Sequence, residues 1–135
     1  MKKKNLYAKS MMKFILNIVK VVNTGVSFGL FNSLPFRQII LSIITLIILI
    51  YISYLLYKED NIRYIVIYSL IIAGGIGNLF DRIFYGGVYD FIDFHIGKYH
   101  WPAFNVADSV ICIAIFLVVY FDLFEKYIKK EKKSL

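Results

Sequence analysis

Residues Ile39–Tyr57 read IILSIITLIILIYISYLLY, a 19-residue run without a charged side chain. At about 1.5 Å per residue, a helix of this length crosses the roughly 30 Å apolar core of a bilayer. Its many β-branched residues are indifferent helix formers in water. In lipid, however, a lone span must satisfy its own backbone, and only a helix does that. Arg37 and Lys58 flank the run, and Tyr51, Tyr54 and Tyr57 gather toward its second end, as anchors at a membrane interface do.

The composition agrees with a membrane origin. Of the 135 residues 59% are hydrophobic, 18% aromatic and 19% charged. Exchanging the 11 Tyr for the 8 Gly in that count leaves it well above the about 45–50% of soluble domains. So short a chain has too little interior to hide this much apolar surface from water. Disorder is excluded too, because disordered chains are polar and poor in aromatics. The expected class is a single-domain, all-α membrane protein.

Outward from the first run, Lys58–Arg63 is a tight connection, and Tyr64–Phe80 (YIVIYSLIIAGGIGNLF) is a second span of 17 uncharged residues. Gly74, Gly75 and Gly77 in its last turns would let another backbone approach closely. A third span is expected over residues 108–124 (DSVICIAIFLVVYFDLF). Asp81–Ala107 reads as a long polar and aromatic connection, a length usually reserved for function. Met11–Phe31 carries Lys13, Asn17, Lys20 and Asn23, which are costly at the bilayer centre. It is expected to lie at the membrane surface, partly extended, with Asn23-Thr24-Gly25 as a turn. A degenerate crossing over 11–31 is the alternative.

The net charge of +7 is concentrated at the two ends of the chain, beside apolar segments. That pattern reads as topology and as contact with anionic lipid headgroups, so membrane lipids are expected partners and nucleic acid is not. The lysine-rich tail is expected to be cytoplasmic, which puts Asp81–Ala107 outside and Lys58–Arg63 inside. The same count places the lysine-rich front outside, against the rule, unless 11–31 crosses or an earlier span is missing. The single Cys112 lies in an apolar run and is expected to be a buried, small apolar residue without a disulfide.

Two carboxylates stand in unusual places. Asp90 is surrounded by Val88, Tyr89, Phe91 and Ile92, and Asp108 opens the last span. Poor solvation and mutual repulsion raise carboxylate pKa values, and a pair held apart in this way suits general acid/base chemistry. The plainer alternatives are a first-turn helix cap for Asp108 and a loop turn for Asp90. Asn105 and Asp108 are three apart, and Asn78 and Arg82 four apart, so each pair shares a helix face at the same membrane side. A metal site from Asp90, Asp93, His95 and His100 fits no zinc spacing, so neither metal nor other cofactor is expected. No G-x-S-x-G elbow exists, and AGGIGN lies inside a span rather than in a phosphate loop.

Three blocks, NTGVSFGLF (Asn23–Phe31), GGIGNLFDRIFYGGVYDF (Gly74–Phe91) and PAFNVADSVI (Pro102–Ile111), resemble the lipoprotein signal peptidase family in order and spacing. The likeness covers about residues 14–125. It implies a membrane-embedded aspartic endopeptidase of the bacterial inner membrane, with its site at the outer face. Such an enzyme removes signal peptides from diacylglyceryl-modified prolipoproteins and needs no metal. Residue by residue, Asp90 and Asp108 match the catalytic pair; Asn23, Gly25, Asn78, Arg82 and Asn105 match residues that line or support it. The family usually has four spans, the first preceding the NTG block, so this chain is expected to lack that helix. A non-catalytic membrane protein or truncated paralogue that binds lipoprotein precursors is the alternative function. A channel component is disfavoured, because Ile39–Tyr57 offers only Ser42, Thr45 and Ser53 as polar side chains besides its tyrosines.

Overall fold

The computed structural model describes residues 16–25 and 36–134. In chain order the elements are β1 (Leu16–Asn23), α1 (Arg37–Tyr57), α2 (Ile62–Tyr85), β2 (Val88–Ile96), β3 (Tyr99–His100) and α3 (Val106–Ser134). All three helices are long and apolar enough to cross a membrane. They contain the three expected spans, and α2 continues past Phe80 so that Asp81 and Arg82 remain helical.

Each helix end has a local cause. Asn61 caps α2 by accepting from the Arg63 backbone N–H at 3.0 Å. Gly86, at φ 68°, ends it in the left-handed conformation and donates its N–H to the Arg82 carbonyl at 3.2 Å. At the start of α3, Asn105 Oδ1 accepts from the Asp108 N–H at 3.0 Å, while Asp108 Oδ2 accepts from the Asn105 N–H at 3.1 Å. This reciprocal arrangement is a capping box.

Small residues bring the helices together. A Cβ on Gly74 would stand 2.7 Å from Ile111 Cγ1 and 2.9 Å from the Ala107 carbonyl oxygen of α3. A Cβ on Gly75 would stand 2.7 Å from Leu49 Cδ2 of α1. Thus α2 is the central helix, with one neighbour against each of two adjacent glycines. Tyr64 Oη donates to Asp122 Oδ1 at 2.7 Å, joining α2 and α3 at the opposite end. The outer faces stay apolar, as at Ile47 (60% exposed) and Phe116 (67%), because lipid rather than protein covers them.

The connection expected over Asp81–Ala107 turns out to hold the end of α2 and two strands. β2 pairs antiparallel with β1 on one side and β3 on the other, giving the sheet order β1-β2-β3. Along β2, Val88, Asp90 and Asp93 are buried while Phe91 and Phe94 are exposed, and pairing with β1 brings the buried aspartates against the strand beside them. Residues 16–23 are therefore extended, as expected for the surface segment, and do not form a crossing helix. The rest of 11–31, apart from Thr24 and Gly25, lies outside the described residues. Cys112 corrects its expectation: it is exposed.

Candidate active site

The polar residues singled out in the sequence meet where the sheet packs on the ends of α2 and α3. Asn105, only 5% exposed, is the centre. One amide group, its Nδ2, donates to Asp90 Oδ1 at 3.1 Å and to Asn78 Oδ1 at 3.1 Å. The backbone N–H of the same residue serves Asp108. Asn78 in turn donates from Nδ2 to Asp108 Oδ1 at 2.8 Å. Both oxygens of Asp108 therefore accept an N–H, and both carboxylates are bound to one residue.

Asp90 is 2% exposed. Its second oxygen accepts from Asn23 Nδ2 at 3.0 Å, and Asn23 is itself oriented by the Gly25 N–H, 3.0 Å from its Oδ1. Gly25 thus reaches the site through Asn23 rather than by touching a carboxylate. Burial pushes the Asp90 carboxyl above the ordinary carboxylate range, and the charge of Asp108 pushes the same way. Hydrogen bonds from Asn23 and Asn105 and the field of Arg82 pull it down without cancelling the rise. Arg82 is held by its own helix, Nη1 donating to the Asn78 carbonyl at 3.3 Å.

Asp90 is a strand residue and not a loop turn. Asp108 is indeed a first-turn capping residue, but one whose other oxygen is committed to the cluster. A cavity of about 470 Å³ opens beside Asp108, lined by Trp101, Pro102, Phe104, Ser109, Ile111 and Cys112 among others. It gives the carboxylate a largely apolar approach beside the first turns of α3. The residues weighed as metal ligands separate: His100 Nδ1 donates to Asp93 at 2.9 and 3.0 Å, His95 stacks on His100, and Asp90 belongs to the other cluster.

Sequence reading missed three participants. Asp81 Oδ2 accepts from the Tyr89 N–H at 3.1 Å and ties the end of α2 to β2. Thr24 offers its carbonyl to Arg37 Nε at 2.9 Å and to the Gln38 side chain, tying the end of β1 to α1. Asn17 bonds Asp93 across the sheet. Asp81 was visible only as the residue after the second apolar run, and backbone partners such as Tyr89 and Thr24 leave no mark in side-chain spacing.

Fold and site together define a small multi-pass membrane protein that buries a hydrogen-bonded carboxylate pair at one end of its helices. A family model described as signal peptidase (SPase) II matches residues 1–124. The chain is 50% identical over 108 residues to the lipoprotein signal peptidase of Thermodesulfovibrio yellowstonii, covering 80% of this chain and 71% of that protein. It is 49% identical over 114 residues to that of Blochmanniella pennsylvanica, covering 79% and 68%. A bacterial membrane enzyme solved at 2.3 Å superposes with a TM-score of 0.76 at 36% identity, covering 87% of this chain and 71% of that one. The chain belongs to the signal peptidase II family. With its three apolar helices, that membership makes it a multi-pass protein of the bacterial inner membrane.

Proposed function

We propose that the chain is an aspartic endopeptidase that removes the signal peptide from diacylglyceryl-modified prolipoproteins, with Asp90 and Asp108 as the catalytic pair at the outer face of the membrane. The observation that carries this reading is the shared tie through Asn105, which holds two carboxylates in one buried cluster. The reaction needs one proton shared between the two carboxylates, one member donating and the other accepting. The buried Asp90, whose carboxyl burial raises, is suited to donate that proton, and Asp108, beside the cavity, to take the proton of the attacking water.

The steps balance. Water adds to the scissile carbonyl carbon, giving one proton to Asp108 while Asp90 passes its proton to the carbonyl oxygen. The gem-diol then collapses: the C–N bond breaks, Asp108 protonates the leaving amine, and a diol hydroxyl returns its proton to Asp90. Asn23, Asn78 and Asn105 hold the carboxylates in place through both steps, so little reorganisation is needed. The acyl chains of the substrate keep it in the bilayer, so the enzyme binds a cleavage site already delivered to the right depth.

Asp90→Asn and Asp108→Asn should each lower turnover of a lipidated precursor by at least about 10³-fold, within the range general acid/base groups contribute. Purified variants of normal melting temperature, assayed for cleavage, provide the check. Wild-type turnover in either variant sinks the assignment. A wild-type chain that binds precursor without cutting it favours the non-catalytic alternative.

A further inference from the structure

Two asparagines of β1 reach two aspartates of β2. Asn17 Nδ2 donates to Asp93 Oδ2 at 3.1 Å, and Asn23 Nδ2 donates to Asp90 Oδ2 at 3.0 Å. Side chains alternate between the faces of a strand. Asn17 and Asn23 are an even number of residues apart, so in a regular strand they share a face. Asp90 and Asp93 are an odd number apart and point to opposite faces. No uninterrupted register can make both bonds.

One irregularity reconciles them. Leu16, Asn17 and Ile18 pair with Phe94, Asp93 and Ile92, whereas Val21, Val22 and Asn23 pair with Asp90, Tyr89 and Val88. Val19 and Lys20 together stand opposite Phe91, which is the two-against-one count of a β-bulge. Were the outer register to run through, Asn23 would fall opposite Gly87 and turn to the face away from Asp90. Were the inner register to run through, Asn17 would fall opposite Phe94 and leave Asp93. The two side-chain bonds hold the bulge between them.

The outer bond has its own support. Asp93 is 7% exposed, and the same carboxylate receives His100 Nδ1 from β3. One aspartate therefore fastens all three strands at the end of the sheet remote from the carboxylate pair. Burial opposes its charge, but the hydrogen bonds from His100 and Asn17 and the nearby histidines outweigh this and hold its carboxyl below the usual range.

We propose that Asp93 and Asn17 are positioning residues for the peptidase reaction: by pinning the bulge they set the register that lays Asn23 against Asp90. The proposal rests on Asp90 being catalytic. Asn17→Ala is the informative variant, because Asp93 keeps its bond from His100 and the sheet keeps its backbone pairing. The full-length protein, assayed on a lipidated precursor, should lose about tenfold in kcat, a modest case of misplaced catalytic geometry. Its KM should stay within about twofold, because substrate contacts are untouched. In a double-mutant cycle, Asn17→Ala should cost nothing further in an Asn23→Ala background, since both act through one bond.

The alkaline limb of the kcat profile, set by loss of the Asp90 proton, should move to higher pH in Asn17→Ala and coincide with that of Asn23→Ala. The Asn23 bond favours ionised Asp90, while Arg82 and Asp108, the charged groups that act on Asp90, are the same in both. Asn17→Gln, which keeps the donor, should restore most of the rate. His100→Gln, acting on Asp93 from the other strand, should show the same non-additivity with Asn23→Ala. Losses that multiply, or a lower melting temperature with unchanged kcat, overturn the proposal and leave Asp93 a sheet-stabilising residue. Turnover by Asp90→Asn would instead defeat the catalytic assignment, a separate result.

Discussion

Asn105 does three jobs with one side chain and one backbone group: it caps α3, holds Asp90 and braces Asn78. Asn105→Ala should therefore cost about 1–2 kcal/mol of stability as a lost N-cap. It should also cost about 10²-fold or more in kcat, comparable to losing a preorganised donor. Its effect on pH dependence has a definite sign. The ordinary Asp value is 3.8, and burial already raises Asp90 above it. Asn105 favours the ionised form, so its removal raises the value further and moves the alkaline limb of the profile, where Asp90 loses the proton it must donate, to higher pH. Melting curves and a kcat profile of the variant check both parts; an unmoved limb would separate Asn105 from Asp90. At this scale the site was largely legible. A carboxylate or amide set among apolar residues at membrane depth is costly unless used, so Asp90, Asn78, Asn105 and Asp108 stood out from their surroundings. The link between Asn17 and Asp93 did not: the one reads only as a polar interruption and the other only as a candidate metal ligand until the strand pairing is known.

Gly74 and Gly75 look equivalent in the sequence, yet the elements they touch separate them. At Gly74 a methyl would meet the Ala107 carbonyl oxygen at 2.9 Å as well as Ile111, and backbone cannot rotate away. Gly74→Ala should push the first turn of α3 off α2 and open the 2.8 Å bond between Asn78 and Asp108. A shift of that kind costs about 10²-fold in turnover, and overpacking adds about 1–3 kcal/mol of destabilisation. At Gly75 the nearest atom is the tip of the Leu49 side chain, which can change rotamer, so Gly75→Ala should keep most of the activity. Comparing kcat of the two variants at matched expression checks the order; equal losses would mean the glycines serve general helix packing. The helices themselves were legible because lipid permits uncharged runs of that length little else. β2 was not. V-Y-D-F-I-D-F-H does not alternate in polarity, since buried Asp90 and Asp93 lie on opposite faces and exposed Phe91 and Phe94 do too. Its partner β1 lies 65 residues earlier in pairing distance at the Asn23–Val88 end, too far for a local pattern to reveal.

The whole molecule is polarised across the membrane. β1 ends beside α1, whose Arg37 reaches the Thr24 carbonyl, while β2 follows α2 and leads toward α3. The sheet and the carboxylate pair are therefore on one side, with the α1–α2 turn and the far end of α3 on the other. α3 has 29 residues, about 43 Å of helix, against an apolar core of roughly 30 Å. Its last turns extend past the span and carry Lys126, Lys129, Lys130 and Lys132. Lys58 and Arg63 lie at the same end, in or next to the α1–α2 turn. Short flanking segments rich in Lys and Arg stay cytoplasmic, so this end should face inward and the sheet outward. The lysine-rich front gave the sequence a conflicting count; residues 16–23 pair with β2 and so lie on the same side as the sheet, whichever side that is. Orientation is testable because Cys112 is the one cysteine of the chain. In a Cys112→Ser background, Lys98→Cys sits in the turn between β2 and β3, and Lys58→Cys follows α1. A membrane-impermeant maleimide applied to intact spheroplasts should label position 98 at once and position 58 only after permeabilisation. The reverse pattern would turn the protein over and place the carboxylate pair in the cytoplasm. There it could not meet precursors whose cleavage site has already crossed the membrane, so a labelling experiment that never measures catalysis also bears on the proposed reaction.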